Sequence, residues 1–449
     1  MKNTLTRPLT VLSFFSLTSM FCRCATELHS QDVIHRKDGV PATRERMVIL
    51  SSKPDPLDQE ITGIVSNVAA GLGRFEVFDR NNLESVLQEQ ALQLSGIIND
   101  SLVVKIGNIA TAKEALLVSV NDFSQKELLG SYKFHLQVQI SKIDLATGKS
   151  LRVFNLAVSP FKYTETRGEA RDLAMAEFKG KATEVLKELY LMTSEVISVD
   201  HGEALLLLGE DIGIEKGHIF VLRSPESGGP AGDSSSAFEA RKTAFILVED
   251  ASSEVSRSVI LRQWGPVQPG FQAVEQVKSI KGFLLSITPS FDNSYIRIGF
   301  QAHAKPIHRR DWGAGLWINQ LTDSHNGKSY GFDLGLFGKQ QLLMVSRLKI
   351  MLKVGANLGI AFARDDANNL VHAFLGFAYP EINSEIAVSE KVDIVIGAGY
   401  RFGGKTSTWD LGSESNTPAV WQNGPREVDL SGPFIMIGYK QLLFGVFDW

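Results

Sequence analysis

The stretch LKIMLKVGANLGIAF, residues 348 to 362, carries an apolar side chain at every second position: Leu348, Ile350, Leu352, Val354, Ala356, Leu358, Ile360 and Phe362. Between them stand Lys349, Met351, Lys353, Gly355, Asn357, Gly359 and Ala361. Successive side chains of a β-strand point to opposite faces, so this pattern predicts a strand with one oily face and one small or polar face.

The same rhythm recurs on both sides of it. Ile296, Ile298, Phe300 and Ala302 alternate with Arg297, Gly299 and Gln301, and Tyr330, Phe332, Leu334 and Leu336 alternate with Gly331, Asp333 and Gly335. Candidate strands fall near residues 282, 295, 312, 330, 350, 372, 393 and 436. About eight strands of roughly 9 to 15 residues each, apolar on one side, fit an antiparallel transmembrane β-barrel over 280–449, oily toward lipid and polar or small within. Trp312, Tyr330, Tyr379, Tyr400 and Trp449 sit at strand ends, where interfacial aromatic girdles belong. A soluble antiparallel sandwich would bury the same apolar face. An export signal, the cysteine usage and the aromatic terminus FGVFDW favour the membrane; with Phe447 and Trp449, the terminus resembles the strand that outer-membrane assembly machinery reads.

GYRFGGKT, residues 399 to 406, fits the phosphate-loop spacing G-x-x-x-x-G-K-[ST] at every fixed position. Its flanks do not fit. Val392, Ile394, Ile396, Ala398, Tyr400 and Phe402 alternate with Asp393 and Arg401, whereas a phosphate-loop strand is buried on both faces. STWDLGSESNTPAVWQNG follows, and no helix can start there to hold phosphate. Nucleotide binding is therefore not expected. A second G-K-S, Gly148 to Ser150, fails on residues alone because Ile143 stands where the first glycine should be.

The N-terminus opens with Lys2 and Arg7, continues with an apolar run from Leu9 to Phe21 and then small residues. A run of about 13 residues is too short to span a bilayer and suits a secretory signal over residues 1–25. Cys22 and Cys24 lie at its end. Cleavage after Ala25 leaves no thiol; cleavage before Cys22 makes it a lipid-bearing N-terminus. No later stretch approaches 18 unbroken apolar residues, so no transmembrane helix is expected. The 449 residues allow two or three domains, and a net charge of −4 argues against nucleic acid as a partner.

Residues 45–195 read as α/β. MVIL at 47 to 50 is a short strand; Ile61, Ile64, Val65, Val68, Ala69 and Leu72 form a helical stripe; and FEVF at 75 to 78 is a strand again. Asn81 or Asn82 caps a helix carrying Leu83, Val86 and Leu87, and Ser101 caps another ahead of the strand ALLVSV, 115 to 120. Tyr132, Phe134, Leu136, Val138 and Ile140 alternate along the first arm of a hairpin over 131–158 that turns at 144 to 149. A last helix puts Ala174, Phe178, Ala182, Val185, Leu186 and Leu189 on one face.

Residues 74 to 120 resemble the CsgG family of curli secretion proteins and the related periplasmic domains of LpoB and TolB. The resemblance rests on Asp79 and Arg80 after a strand, Leu83, Glu89 and Gln90, and Leu94 and Gly96 in a QLSG turn, then a glycine-containing helix and an apolar strand. It implies a periplasmic module that binds other proteins and does no chemistry. One departure is visible: curli-type channels carry long membrane-crossing hairpins, and the hairpin at 131–158 is short. Asp79 and Arg80 read most simply as a salt link between strand end and helix start, not as a catalytic pair.

Residues 196–275 show short apolar runs cut by Gly202, Gly209, Gly213 and Gly217, the pattern of a small all-β module. This segment resembles the C-terminal β-domain of the flagellar protein FlgT. ESGGPAGDSSS, 226 to 236, is a loop by composition. His201 and His218 lack a second ligand at metal-site spacing, and His308, Arg309, Arg310 and Asp311 read as a solvated charge patch in a barrel turn.

No zinc-protease, nucleophile-elbow or paired-acid constellation stands out. The expected protein is a non-enzymatic outer-membrane protein without cofactor, its barrel anchoring residues 45–275 in the periplasm. Its expected partners are outer-membrane lipid, other envelope or periplasmic proteins and a second copy of itself. A CsgG-like oligomeric secretion or transport channel is the alternative.

Overall fold

The computed structural model describes residues 44–78, 112–225, 241–291, 295–411 and 418–445. The chain is mostly β-structure, organised as one mixed sheet and two closed barrels.

The N-terminal sheet contains β1 (Glu45–Ser51), β2 (Phe75–Phe78), β3 (Glu114–Leu128), β4 (Ser131–Asp144) and β5 (Ser150–Val158), in the order β2-β1-β3-β4-β5. β1 runs parallel to both neighbours; β3, β4 and β5 are antiparallel. Helix α1 (Pro56–Gly71) starts where Asp55 accepts hydrogen bonds from the Leu57 and Asp58 amides, with Pro56 pre-set in the first turn. Helix α2 (Arg167–Leu189) is capped by Thr166. Ile61, Val65, Phe178 and Leu186 of the helices meet Met47, Ile49, Val118 and Val138 in one core. Buried Asp58 is tied into it by accepting the Val120 amide at 2.9 Å.

The hairpin at 131–158 is present, but the longer hairpin is β3–β4. β3 runs past the expected end of its apolar stretch to Leu128, because its distal half pairs residue for residue with β4 as far as Leu128↔Ser131. Leu129 and Gly130 take positive φ at the tip, and Leu129 is 98% exposed. The helices expected from Asn81 or Asn82 and from Ser101, and the loop at 226 to 236, lie outside the described residues.

The middle segment closes on itself. β6 (Thr193–Asp200), β7 (Glu203–Leu206), β8 (Ile219–Arg223), β9 (Lys242–Ala251), β10 (Ser256–Gln263) and β11 (Gln272–Glu275) form a six-stranded barrel in the order β10-β7-β6-β11-β8-β9. Val196, Leu206, Phe220, Leu222, Ile246 and Ala273 fill it.

The third unit contains β12 (Ile280–Pro289), β13 (Tyr295–His303), β14 (Arg310–Thr322), β15 (Lys328–Val345), β16 (Leu348–Arg364), β17 (Leu370–Ala387), β18 (Val392–Gly403) and β22 (Gly432–Phe444). Each pairs antiparallel with its neighbours, and β22 returns to β12 to close an eight-stranded barrel. Every strand centre expected from the sequence lies in one of these eight. Both ends of the barrel segment leave from the same rim, where Ile280 faces Phe444.

The GYRFGGKT stretch is the end of β18 running into a loop. Gly403 and Gly404 turn it with φ of 87° and 85°, and β19 (Lys405–Thr406), β20 (Asp410–Leu411) and β21 (Val428–Asp429) follow, with no helix among the described residues between them. This loop folds back over the far mouth. Trp409 is buried there, donates its indole N–H to the Arg426 carbonyl at 2.7 Å, and packs in one cluster with Leu321, Val371, Val428 and Leu430. Arg426 in turn bridges Asp366 and Asp323 of two other loops.

Candidate functional site: the barrel interior and its near mouth

The period-two pattern decides what faces where. On β16, Lys349, Met351, Lys353 and Asn357 are buried inside the barrel, while Val354 and Leu358 stand outward, Leu358 at 78% exposure. Phe300, Ile318, Leu336, Phe374 and Ile437 extend the outward apolar face to other strands. A band of this kind far exceeds the scattered apolar residues of an ordinary wetted surface. Of the expected girdle, Trp312, Tyr330 and Tyr400 are exposed on this wall. Tyr379 is not: it shares register with Phe377 and Glu381, and points inward with them.

Inside, opposite charges are matched strand to strand. The Asp333 carboxylate accepts from Arg297, from Asn319 at 2.8 Å and from Asn357. Lys353 reaches Glu381 at 3.1 Å and Gln301 at 2.8 Å. Glu385 takes Lys339 at 2.8 Å and also Lys440, which bonds Asp393 at 3.0 Å. The Arg401 guanidinium lies against the rings of Phe434 and Tyr295, 4.3 and 4.8 Å from their centroids. These side chains fill the lumen, as expected for so narrow a barrel. What the arrangement does chemically is hold charge in place.

The expected patch at 308 to 311 is divided between two settings. Asp311 belongs to β14 and is buried against His303, 2.6 Å away, while Arg309 pairs with Glu249 of the six-stranded barrel. His308 is half-buried in the turn, where desolvation, Lys305 and Lys349 hold its imidazole below the ordinary range. His308 and Arg309 lie in a turn as expected, but Arg310 and Asp311 already belong to β14, whose alternation turns Asp311 inward and buries it.

At the near mouth the six-stranded barrel inserts Arg262. Its guanidinium bonds Asp393 at 2.5 Å and 3.1 Å and donates to the carbonyls of Ser389, Glu390 and Val392. Lys242–Glu390 stands beside it, and Phe245, Trp264, Ile307 and Leu442 form a shared core. A second joint ties the N-terminal sheet to the six-stranded barrel. Arg74, just before β2, makes a two-pronged bond to Glu275 at 2.8 and 2.9 Å and a third to the Tyr190 carbonyl. Gly213, at φ 81°, lies so close to the α1 end that an added Cβ would fall 2.1 Å from the Leu72 carbonyl oxygen.

Cys22, Asp79, Arg80, Leu83, Glu89, Gln90, Leu94, Gly96, Phe447 and Trp449 all lie outside the described residues. The buried charges that fill the barrel were visible in the sequence as the polar face of each strand. Their pairing was not, since it depends on the ring of neighbours.

In comparison with known proteins, residues 42–131 match the family model described as "Curli production assembly/transport component CsgG". Among solved structures, the lipoprotein GNA1162 of Neisseria meningitidis is similar at 16% identity, covering 31% of this chain and 98% of that one, with a TM-score of 0.23. The C-terminal domain of LpoB from Escherichia coli aligns at 19% identity over 27% and 87%, TM-score 0.21. The N-terminal β-barrel domain of Pseudomonas aeruginosa OprF aligns at 6% identity over 37% and 99%, TM-score 0.24. No curated protein matches.

Proposed function

We propose that the chain is a non-enzymatic outer-membrane protein in which residues 280–449 form the membrane barrel. In this reading residues 45–195 are a CsgG-like, protein-binding periplasmic module, and residues 196–275 are the small β-domain, FlgT-like in its glycine spacing, that carries it. Residues 1–25 are the export signal. The observation that carries the reading is the inverted wall of the eight-stranded barrel, apolar outside and charge-paired inside. Such a wall is stable in lipid and unfavourable in water. The position of Arg262 agrees with it, because both ends of an even-stranded barrel emerge on one side, and that side meets the six-stranded barrel. With the lumen filled, one copy would anchor and not conduct.

The second reading is a CsgG-like oligomeric secretion or transport channel, in which the pore would lie between copies. The long β3–β4 hairpin with exposed Leu128 and Leu129 at its tip favours it. The test uses the full-length protein. The anchor reading expects resistance to alkaline extraction from envelopes, a mobility shift on boiling and no steady conductance in planar bilayers. Reproducible single-channel steps would establish the channel instead, and extraction as a soluble protein with no heat shift would end the outer-membrane reading.

A further inference from the structure

At the near mouth of the eight-stranded barrel, beside the inserted Arg262, lies a small, outward-opening cleft bordered by Pro306, Met344, Arg347, Lys349 and Glu385. The buried charges around it do not balance. Arg262, Lys339, Lys349 and Lys440 stand around Glu385 and Asp393, and buried Asp311, bonded to His303, lies beside Lys339, so the cations exceed the carboxylates by one. Three of the four cations are bonded to those carboxylates. Lys349, 6% exposed, makes no ion pair among the described residues; its ammonium donates to the Ile307 carbonyl at 2.9 Å. An ammonium removed from water with a single neutral acceptor is an unfavourable arrangement unless an anion completes it. Arg347, exposed in the β15–β16 turn, adds a further cation to the same cleft.

The cleft's outer border is oily. β15, β16 and β17 extend further at this end than β14 does, and Leu342, Leu343, Val345, Leu348 and Ile386 stand exposed on the extension. A β-bulge between Gln341 and Leu343 breaks the alternation there and re-aims Met344 toward the cleft. Cations at the rim of an apolar wall are placed to meet lipid headgroups while the wall meets their chains.

We infer that this cleft binds the phosphate of a glycerophospholipid in the periplasmic leaflet, between Lys349 and Arg347, with the acyl chains along Leu343, Val345 and Leu348. The inference rests on the membrane-barrel reading. A phosphodiester supplies the anion that Lys349 lacks, and its glycerol carbons carry the apolar part that the extended strands expose. Free phosphate has the same charge and none of the apolar contact.

The test is native mass spectrometry of the full-length protein in mild detergent, titrated with dioleoylphosphatidylglycerol, dioleoylglycerol or inorganic phosphate. The phosphatidylglycerol adduct is expected to survive collisional activation that strips dioleoylglycerol. Arg347→Gln and Lys349→Met should each weaken it about fivefold, the effect of one cation near a lipid surface, while Lys305→Gln in the neighbouring turn leaves it unchanged. Equal retention of dioleoylglycerol, or adducts insensitive to both substitutions, overturns the inference. Inorganic phosphate adducts without a lipid adduct would overturn the lipid assignment in favour of a free anion. Heat-shifted mobility is checked on each sample: a normal shift with no site-dependent lipid defeats this inference alone, whereas loss of the shift in the unsubstituted protein defeats the outer-membrane reading beneath it. Arg347 is exposed, so its variant remains informative if Lys349→Met fails to fold.

Discussion

The chain contains two closed antiparallel barrels of opposite construction. The six-stranded one is filled by Val196, Leu206, Phe220 and Ile246, while the eight-stranded one holds Arg297, Asp333, Lys353 and Glu381 inside and carries Phe300, Leu336, Leu358 and Phe374 outside. Backbone pairing is satisfied the same way in both, so topology does not choose between them. The solvent does. A barrel surrounded by water gains by hiding apolar area, and one surrounded by hydrocarbon gains nothing by hiding it and must instead shelter its polar groups.

The largest test of this contrast exchanges what each interior relies on. Asp333→Ala leaves Arg297 in the lumen without its carboxylate, and Phe220→Ala opens a cavity in the small barrel. Each should cost about 3–5 kcal/mol, the first by stranding a charge and the second by lost packing. Urea titration of the refolded protein in vesicles, followed by gel mobility for the large barrel and by protease sensitivity for the small one, reads both. If Asp333→Ala is silent, the lumen is wetter than its packing implies.

The next test concerns the walls. Leu358→Arg places a cation at a 78% exposed position on β16. On a water-facing surface this would be near neutral; in the hydrocarbon it should cost about 2–4 kcal/mol. Refolding yield into lipid vesicles, compared with Leu358→Ala, separates the two.

The smallest expected effect sharpens the other side of the comparison. His218, immediately before β8, is held below its ordinary pKa mainly by burial, with Lys187 and Arg74 acting in the same direction and Glu275 and Glu215 opposing. Unfolding therefore exposes an imidazole that protonates more readily. Above its unfolded pKa, near 6.5, the group is neutral in both states and costs nothing. As pH falls below that value toward the depressed folded pKa, the unfolded chain binds the extra proton and stability declines. Protease sensitivity of the small barrel measured from pH 7.5 to 5 should rise, and His218→Gln should flatten part of that rise.

The eight strands were legible because each barrel strand repeats one local rule, visible without knowing its neighbours. Leu348 to Phe362 needed no tertiary information. Tyr379 was misplaced against this rule, because a residue-type expectation, tyrosine at an interface, was set above the register that buries it with Glu381. The joints were not legible. Arg74 and Glu275 stand 201 positions apart and Arg262 and Asp393 131 apart, and nothing local in the sequence joins the members of either pair. The far half of β3 was missed for a related reason. Phe123 and Gln125 to Leu128 carry no run of apolar residues, and their extended form comes from pairing with β4.

The charge pairs within the large barrel set a condition on how it can be made. Asp333 on β15 needs Arg297 on β13, Glu385 on β17 needs Lys440 on β22, and Asp393 on β18 needs both Lys440 and an arginine from the preceding domain. On the membrane-barrel reading, a partly inserted sheet would carry several unmatched ions into hydrocarbon at once, so intermediates are penalised in proportion to how incomplete they are. Closure of the last strand against the first then becomes a checkpoint: a chain whose six-stranded barrel has not folded has no Arg262 to offer, and the finished large barrel records that the unit before it was ready.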